Sequence, residues 1–301
     1  MRDFHLNGIL PPLTTPFGVE GNVDYESLQS NIERYNDAGV AGYVALGSNG
    51  EAVHLTHDER ARVIETIRRS ASPSHAVIAG VNEFSTRAAI KGTLMAAEAG
   101  ADAALVITPY FYKSQMTQAA LAQFFIEVAD ASPIPVLVYN VPQNTGVVIE
   151  PAIIRSLAAH ENIIGVKDSS GNMGAIAETI RLAPIEFKVM CGNGGILYPA
   201  LLMGATGAIL AVACAAPRPC VDLYEAARAG DHTRARELQN RLAPLSHIVT
   251  AGLGVAGLKA AMEMAGFTGG MARAPLAPLD DSDRARVKAV MRDTGLFSDF
   301  E

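Results

Sequence analysis

The chain has 301 residues, 49% of them hydrophobic and 18% charged, and its formal net charge is -7. It has no cluster of lysine and arginine that could grip a phosphate backbone, so nucleic acid is not an expected partner. No apolar run is long enough to span a bilayer, because Lys259 and Glu263 interrupt the stretch 252–266. The 3 cysteines form no CxxC pair and the N-terminus lacks an apolar signal segment, so we expect a cytoplasmic protein.

Short apolar segments alternate with helical segments along the chain up to residue 212. The predicted strands are 8–17, 42–46, 75–80, 103–107, 135–139, one that ends at Lys167, 187–191 and 207–212. The predicted helices are 25–38, 56–70, 85–98, 117–131, 150–159, 173–182 and a short one that ends at 203. Apolar strands without polar alternation are typical of a parallel sheet buried on both faces. Eight parallel strands with alternating helices predict a TIM (β/α)8 barrel.

The remaining chain has helical patterns only. The helices are predicted at 219–229, 232–250, 253–265 and 281–295. We therefore expect a barrel over residues 1–218 and a C-terminal helical extension over residues 219–301.

Lys167 ends the sixth predicted strand and is followed by small polar residues. In a TIM barrel the carboxyl ends of all strands meet at one face, where the catalytic residues gather. Burial disfavours the ammonium form of a lysine and favours the neutral, nucleophilic amine. That amine is what a Schiff-base enzyme requires. The alternative is a structural ion pair, for example with Asp168, which is the commoner role of a strand-end lysine.

Two further features lie at the same predicted face. Tyr139 ends the neighbouring strand, where a phenol could carry protons for an imine, although a core tyrosine is the alternative. The turn 47–50 supplies backbone N–H groups that suit a carboxylate, although a simple tight turn would have the same sequence. His54 and His57 lack matching ligands, so no metal site is expected.

Three motifs at these strand ends resemble the dihydrodipicolinate synthase/N-acetylneuraminate lyase family of class I aldolases, and the likeness runs from about residue 7 to 290. The motifs are Gly47-Ser48-Asn49-Gly50-Glu51, Tyr139-Asn140-Val141-Pro142 with Asn144-Thr145-Gly146, and Gly165-Val166-Lys167-Asp168. The resemblance implies that Lys167 forms a Schiff base with pyruvate or another 2-oxo acid and that Tyr139 moves protons. It also implies an aldehyde as the second substrate, no cofactor, and a homotetramer built as a dimer of dimers.

The resemblance also assigns substrate contacts. The residues that it implies are Ser48, Asn49, Ser169, Gly192 and Ile209. Ser48 and Asn49 would hold the carboxylate of the 2-oxo acid, and Ser169 would contact the distal part of the substrate. The carbonyl group of Gly192 and the side chain of Ile209 would line the pocket.

The chain departs from dihydrodipicolinate synthases at several positions. Asn144 stands where those enzymes usually carry an arginine for the second substrate's carboxylate, and Ser48-Asn49 replaces their usual Thr-Thr. Together with Ser169 and the stretch 254–259, these residues look most like 4-hydroxy-2-oxoglutarate aldolases. We therefore expect cleavage of 4-hydroxy-2-oxoglutarate to pyruvate and glyoxylate.

A tyrosine that reaches in from a neighbouring subunit in this family falls at Phe111, which cannot relay a proton. Either Tyr110 or Tyr112 takes that role, or the relay is shorter. The alternatives to the expected activity are dihydrodipicolinate synthesis, cleavage of a sugar-derived 2-oxo acid, a metal-dependent class II aldolase, and a catalytically silent protein that binds 2-oxo acids.

Overall fold

Eight short parallel strands form the centre of the protein, and a computed structural model describes residues 6–297. The strands are β1 Gly8–Leu10, β2 Gly42–Ala45, β3 Ala76–Val81, β4 Ala103–Ile107, β5 Val136–Asn140, β6 Ile163–Asp168, β7 Lys188–Cys191 and β8 Gly207–Ile209. They pair in the order β1-β8-β7-β6-β5-β4-β3-β2. The segment after β1 closes the ring, since the N–H group of Leu13 donates to the carbonyl oxygen of Val44 at 2.9 Å. The predicted TIM barrel is thus confirmed.

Helices follow the strands and cover the barrel. They are α1 Tyr25–Asn36, α2 His57–Ser70, α3 Thr86–Glu98, α4 Gln118–Ala131, α5 Pro142–Thr145, α6 Pro151–Leu157, α7 Met173–Leu182, α8 Leu197–Leu202, α9 Pro217–Ala229, α10 His232–His247, α11 Gly254–Met264 and α12 Asp281–Thr294. The sequence explains their starts, as at α2, where Thr56 and Glu59 form the expected capping box. No helix within residues 6–297 is long and apolar enough to cross a membrane.

The strand residues are buried on both sides of the sheet. Side chains such as Leu10, Val44 and Leu105 fill the inside of the barrel, and their neighbours pack against the surrounding helices. Successive strand side chains point to opposite faces, so a sheet covered on both faces needs apolar residues throughout. This burial explains why the strands read as continuous apolar runs.

Three predicted boundaries differ from the structure by three residues or more. β1 ends at Leu10 instead of residue 17, because Pro11 and Pro12 have no N–H group to continue a ladder. β8 ends at Ile209 instead of residue 212 and passes into a short helical turn. The helix predicted over 232–250 ends at His247 and continues as a wider π-helical turn, Ile248–Gly252.

Helix α9 packs against β1 and α8, so it completes the ring of helices around the barrel. Helices α10, α11 and α12 pack on one another beyond it, and α10 also contacts α9. The chain beyond α9 therefore forms a C-terminal helical extension. Its division from the barrel at residue 218 stays a prediction.

Gly80 of β3 leaves space for the chain that follows β2. A Cβ atom at Gly80 would lie 2.2 Å from the carbonyl oxygen of Leu46, which is backbone and cannot move aside cheaply. We expect Gly80→Ala to lower the free energy of unfolding by about 3 kcal/mol, near the upper end for overpacking. Chemical denaturation measures this loss. Gly18→Ala is the control, because its nearest new contact is 3.9 Å away; equal stability of the two variants would contradict the expectation.

Candidate active site

Lys167 and Tyr139 lie directly opposite each other at the carboxyl ends of β6 and β5. The Lys167 Nζ atom is 4.1 Å from the centre of the Tyr139 ring, and the two residues are only 3% and 4% exposed. A cation over the face of a phenol ring is attracted by its negative π face. The pair therefore brings an amine and a proton-carrying hydroxyl together in a site largely shielded from water.

Asp168 is not the ionic partner of Lys167. It accepts hydrogen bonds from the side-chain amide of Asn140 at 2.8 Å and from the N–H group of Ser170 at 2.8 Å. Adjacent residues of a strand point to opposite faces, so Asp168 turns away from the site that Lys167 enters. The alternative in which these two residues form a structural ion pair is wrong, and within residues 6–297 no other carboxylate pairs with Lys167.

The Tyr139 hydroxyl contacts the turn after β2, because it shares a 3.2 Å hydrogen bond with the hydroxyl of Ser48. Burial raises the pKa of the Tyr139 phenol, but the charge of Lys167 and hydrogen bonds from Ser48, Lys167 and Ser169 outweigh it. The net pKa of Tyr139 lies below its ordinary value of 10.0. A phenol that gives up its proton more readily is better suited to exchange protons with a bound substrate.

The turn that carries Ser48 and Asn49 is bracketed by strained backbone. Within residues 6–297, Leu46 and Glu51 are the non-glycine residues with positive φ, at 55° and 52°. The turn between them is helical over Ser48–Gly50, and the first N–H groups of a helical turn have no partner inside it. Ser48 and Asn49 line the cavity at this end of the barrel, where such free donors would suit an anionic group.

A cavity of about 490 Å³ opens at this end of the barrel and brings the predicted site residues together. The predicted residues that line it are Lys167, Tyr139, Ser48, Asn49, Ser169, Gly192 and Ile209. Gly192 must stay small, since a Cβ atom there would lie 2.0 Å from the Ser169 hydroxyl oxygen. The roles of these residues remain predictions.

Sequence reasoning missed part of the lining. The missed residues are Pro12, Val141, Gln143, Ser170, Val249, Thr250, Ala251 and Gly254. A position soon after a strand could have indicated the first four of them. The segment 249–254 belongs to the C-terminal extension, and no local pattern indicates that it reaches the barrel mouth. Among the described lining residues, Lys167 alone carries a charged side chain.

The aromatic run after β4 lies beside this cavity and not in its wall. Tyr110 lines a smaller neighbouring pocket of about 250 Å³ together with Ser48 and Asn144. Its ring packs against Phe84 at 4.9 Å between centroids, while Phe111 and Tyr112 are mostly exposed. A relay role for Tyr110 or Tyr112 stays a prediction.

Comparison with known proteins identifies close relatives over the whole chain. The model of the dihydrodipicolinate synthetase family matches residues 5–294. The chain is 37% identical to the 4-hydroxy-tetrahydrodipicolinate synthase of Methanothrix thermoacetophila over 285 residues, which cover 94% of this chain and 95% of that protein.

Solved structures of proteins from this family have the same fold as this chain. Dihydrodipicolinate synthase DapA-2 from Bacillus anthracis superimposes with a TM-score of 0.92 at 28% identity, covering 96% of this chain and 98% of that one. YagE from E. coli K12, a protein of the dihydrodipicolinic acid synthase family solved in complex with pyruvate, has a TM-score of 0.91 at 31% identity, covering 97% and 99%.

The hydrogen bond between Ser48 and Tyr139 can be tested by titration. Removing the hydroxyl in Ser48→Ala takes away one of the interactions that lower the pKa of Tyr139, so this pKa should rise. The measurement is the pH dependence of the Tyr139 ring signal in NMR spectra of the tyrosine-labelled protein. Ser48→Thr keeps a hydroxyl at this position and should change the pKa little. An unchanged pKa in Ser48→Ala would show that the bond has no influence on the phenol.

Proposed function

Because the chain belongs to the dihydrodipicolinate synthetase family, whose members are class I lyases, we propose that it acts on pyruvate and related 2-oxo acids through an imine on Lys167. The observation that carries this proposal is the buried Lys167 amine, which faces the Tyr139 phenol at the base of an open cavity. A desolvated lysine beside a proton carrier is the arrangement that imine formation requires.

The chemistry follows from these two groups. The neutral amine of Lys167 adds to the keto carbon, and the resulting hydroxyl leaves as water after Tyr139 supplies a proton. The product is an iminium ion. The Tyr139 phenolate then takes a proton from the neighbouring carbon, and the C–H electron pair moves toward the iminium to give an enamine, which leaves Tyr139 protonated again. The enamine carbon then attacks an aldehyde, and a proton from Tyr139 neutralises the new alkoxide; cleavage runs in reverse. In the iminium, the positive charge lies near the face of the Tyr139 ring.

The carboxylate of the 2-oxo acid fits the turn 48–50. In this arrangement the N–H groups of Ser48 and Asn49 donate to the carboxylate oxygens while the keto carbon lies near Lys167. Ser169, Gly192 and Ile209 then form the wall around the rest of the molecule. Holding the carboxylate fixes the keto carbon against the amine, which saves entropy in the addition step.

For the second substrate, the names of the relatives favour the synthesis of 4-hydroxy-tetrahydrodipicolinate. Removing the three carbons of pyruvate from that product leaves aspartate semialdehyde, an aldehyde that carries a carboxylate. These names support this reaction better than the cleavage of 4-hydroxy-2-oxoglutarate that the motifs favoured. Condensation of pyruvate with aspartate semialdehyde is therefore the leading candidate.

The charge of the cavity favours a second candidate, cleavage of a sugar-derived 2-oxo acid. The outer wall offers the amides of Gln143, Asn144 and Asn193 and the hydroxyl of Thr250, with no cation among the described lining residues besides Lys167. Amides and hydroxyls pair well with the hydroxyl groups of a sugar chain. A second carboxylate would have no charged partner in this wall, and burying a charge without one is costly.

A homotetramer and a cytoplasmic location belong to the same proposal. Phe84, Phe111 and Tyr112 expose aromatic surface close to the barrel mouth. Aromatic side chains are enriched at contacts between subunits, so this exposed surface supports self-association.

Reduction with borohydride in the presence of pyruvate tests the imine. We expect peptide mass mapping to find the reduced pyruvate adduct on Lys167 and no adduct in Lys167→Ala. Tyr139→Phe is the matched variant: it should still trap pyruvate, but turnover should fall by about 10²–10⁴-fold, the usual contribution of a positioned acid–base group. A folded wild-type protein without an adduct would overturn the proposed mechanism.

A substrate panel with Asn144→Arg tests the second substrate. We expect wild-type turnover of pyruvate with aspartate semialdehyde, and a KM for this aldehyde about tenfold lower in Asn144→Arg, since one new ion pair of about 1.4 kcal/mol corresponds to that factor. Asn144→Gln, which stays neutral, is the control and should leave this KM unchanged. Turnover restricted to neutral, hydroxylated 2-oxo acids would select the second candidate, and turnover restricted to 4-hydroxy-2-oxoglutarate would return the assignment to that substrate.

A further inference from the structure

Lys259 is a buried lysine of the C-terminal extension. It is far in sequence from the strand ends that form the barrel mouth. It lies on α11 and is 2% exposed. Its Nζ atom is surrounded by three oxygens: Glu51 Oε1 at 2.6 Å, the carbonyl oxygen of Thr15 at 2.9 Å and that of Met271 at 2.6 Å. An ammonium has three protons to donate, so Lys259 joins three separate segments at one point.

Glu51 is the end of the turn that carries Ser48 and Asn49. Its other carboxylate oxygen, Oε2, accepts a hydrogen bond from the backbone N–H group of Arg273 at 2.8 Å and lies 3.3 Å from Nδ1 of His54. The residue before it, Gly50, is also held by a hydrogen bond, since the Thr15 hydroxyl donates to its carbonyl oxygen at 2.7 Å. The far end of the turn is thus held from several sides.

Stability alone does not explain this ion pair. Both side chains are nearly fully buried, and removing two charges from water often costs as much as their attraction returns. Burial lowers the pKa of Lys259, although Glu51 opposes that shift. Glu51 also adopts a φ of 52°, a conformation that non-glycine residues rarely adopt unless their surroundings enforce it. Strained residues of this kind cluster at functional sites.

We propose that Glu51 and Lys259 are positioning residues, which hold the turn 47–51 in the shape that binds the carboxylate of the 2-oxo acid. Neither side chain touches the substrate. Lys259 holds Glu51, Glu51 fixes its own left-handed backbone, and this backbone aims the N–H groups of Ser48 and Asn49 into the cavity. The inference rests on the proposed function, because it assigns the turn to the carboxylate of a substrate that forms an imine on Lys167.

The experiment compares pyruvate, a ketone that carries a carboxylate, with acetone, which carries none. Wild type, Glu51→Gln, Lys259→Met and the double variant are reduced with borohydride at increasing concentrations of pyruvate or of acetone. We expect the pyruvate concentration for half-maximal trapping on Lys167 to rise at least about tenfold in all three variants, the factor for one lost interaction of about 1.4 kcal/mol. Trapping of acetone, which has no carboxylate to bind, should stay unchanged.

The double variant separates positioning from folding. Each single substitution leaves one buried charge without its partner, whereas the double variant removes both charges, so its thermal stability should recover. Its half-maximal pyruvate concentration should nevertheless stay high. The double variant also keeps the test valid if Lys259→Met alone fails to fold.

Arg68→Met is the matched control. Arg68 forms a partly buried ion pair with Asp102 at 3.1 Å, at the opposite end of the barrel strands. Its loss should lower stability without changing trapping of either ketone. The positioning role would be overturned if the pyruvate concentration for half-maximal trapping were unchanged in the folded variants. Equal weakening of pyruvate and acetone trapping would overturn it as well. Absence of any wild-type adduct would instead overturn the proposed function itself.

Discussion

The pairing of β5 with β6 is the constraint on which the site depends. Val136 pairs with Ile163, but Leu137 pairs with Gly165, so β6 holds one extra residue, Ile164, at the start of the ladder. Without this register shift, Lys167 would lie opposite Asn140 instead of Tyr139. Because a shift of one residue turns every later side chain to the other face, the irregularity decides which groups of β6 enter the cavity. The amine and the phenol therefore meet as a result of strand register and not of loop flexibility.

Much of this arrangement could be predicted from the sequence because it follows from local patterns. The apolar strands gave the barrel, and the barrel placed Lys167, Tyr139 and the turn 47–50 at one face, since all parallel strands end there. The register shift in β6 could not be predicted from the sequence, because it depends on how two strands pair. The contact of Lys259 with Glu51 could not be predicted either, since it joins residues from opposite ends of the chain through packing of α11. Local periodicity carries no information on such contacts.

The C-terminal extension takes part in the candidate site in two places. Its π-helical turn, Ile248–Gly252, brings Val249, Thr250 and Ala251 to the cavity wall. Wider turns of this kind are frequent at functional sites, because they push side chains out of a regular helix surface. Behind the turn 47–51, Lys259 contacts the carboxylate of Glu51 and the carbonyl oxygen of Thr15. The extension thus forms part of the outer wall and also supports the turn 47–51, so it is more than a cover over the barrel.

The charges of the cavity-lining residues limit which charged substrate groups the cavity can bury. In the proposed reaction, Lys167 becomes a cationic iminium and the carboxylate of the 2-oxo acid neutralises it, so the bound molecule and the site together carry no net charge. Asp168 does not disturb this balance, because its carboxylate is held by Asn140 and Ser170 away from the amine. A second carboxylate inside the cavity would have no opposite charge among the described lining residues. An anionic aldehyde must therefore keep its own carboxylate toward the solvent at the mouth, whereas a neutral hydroxylated chain can extend along the outer wall.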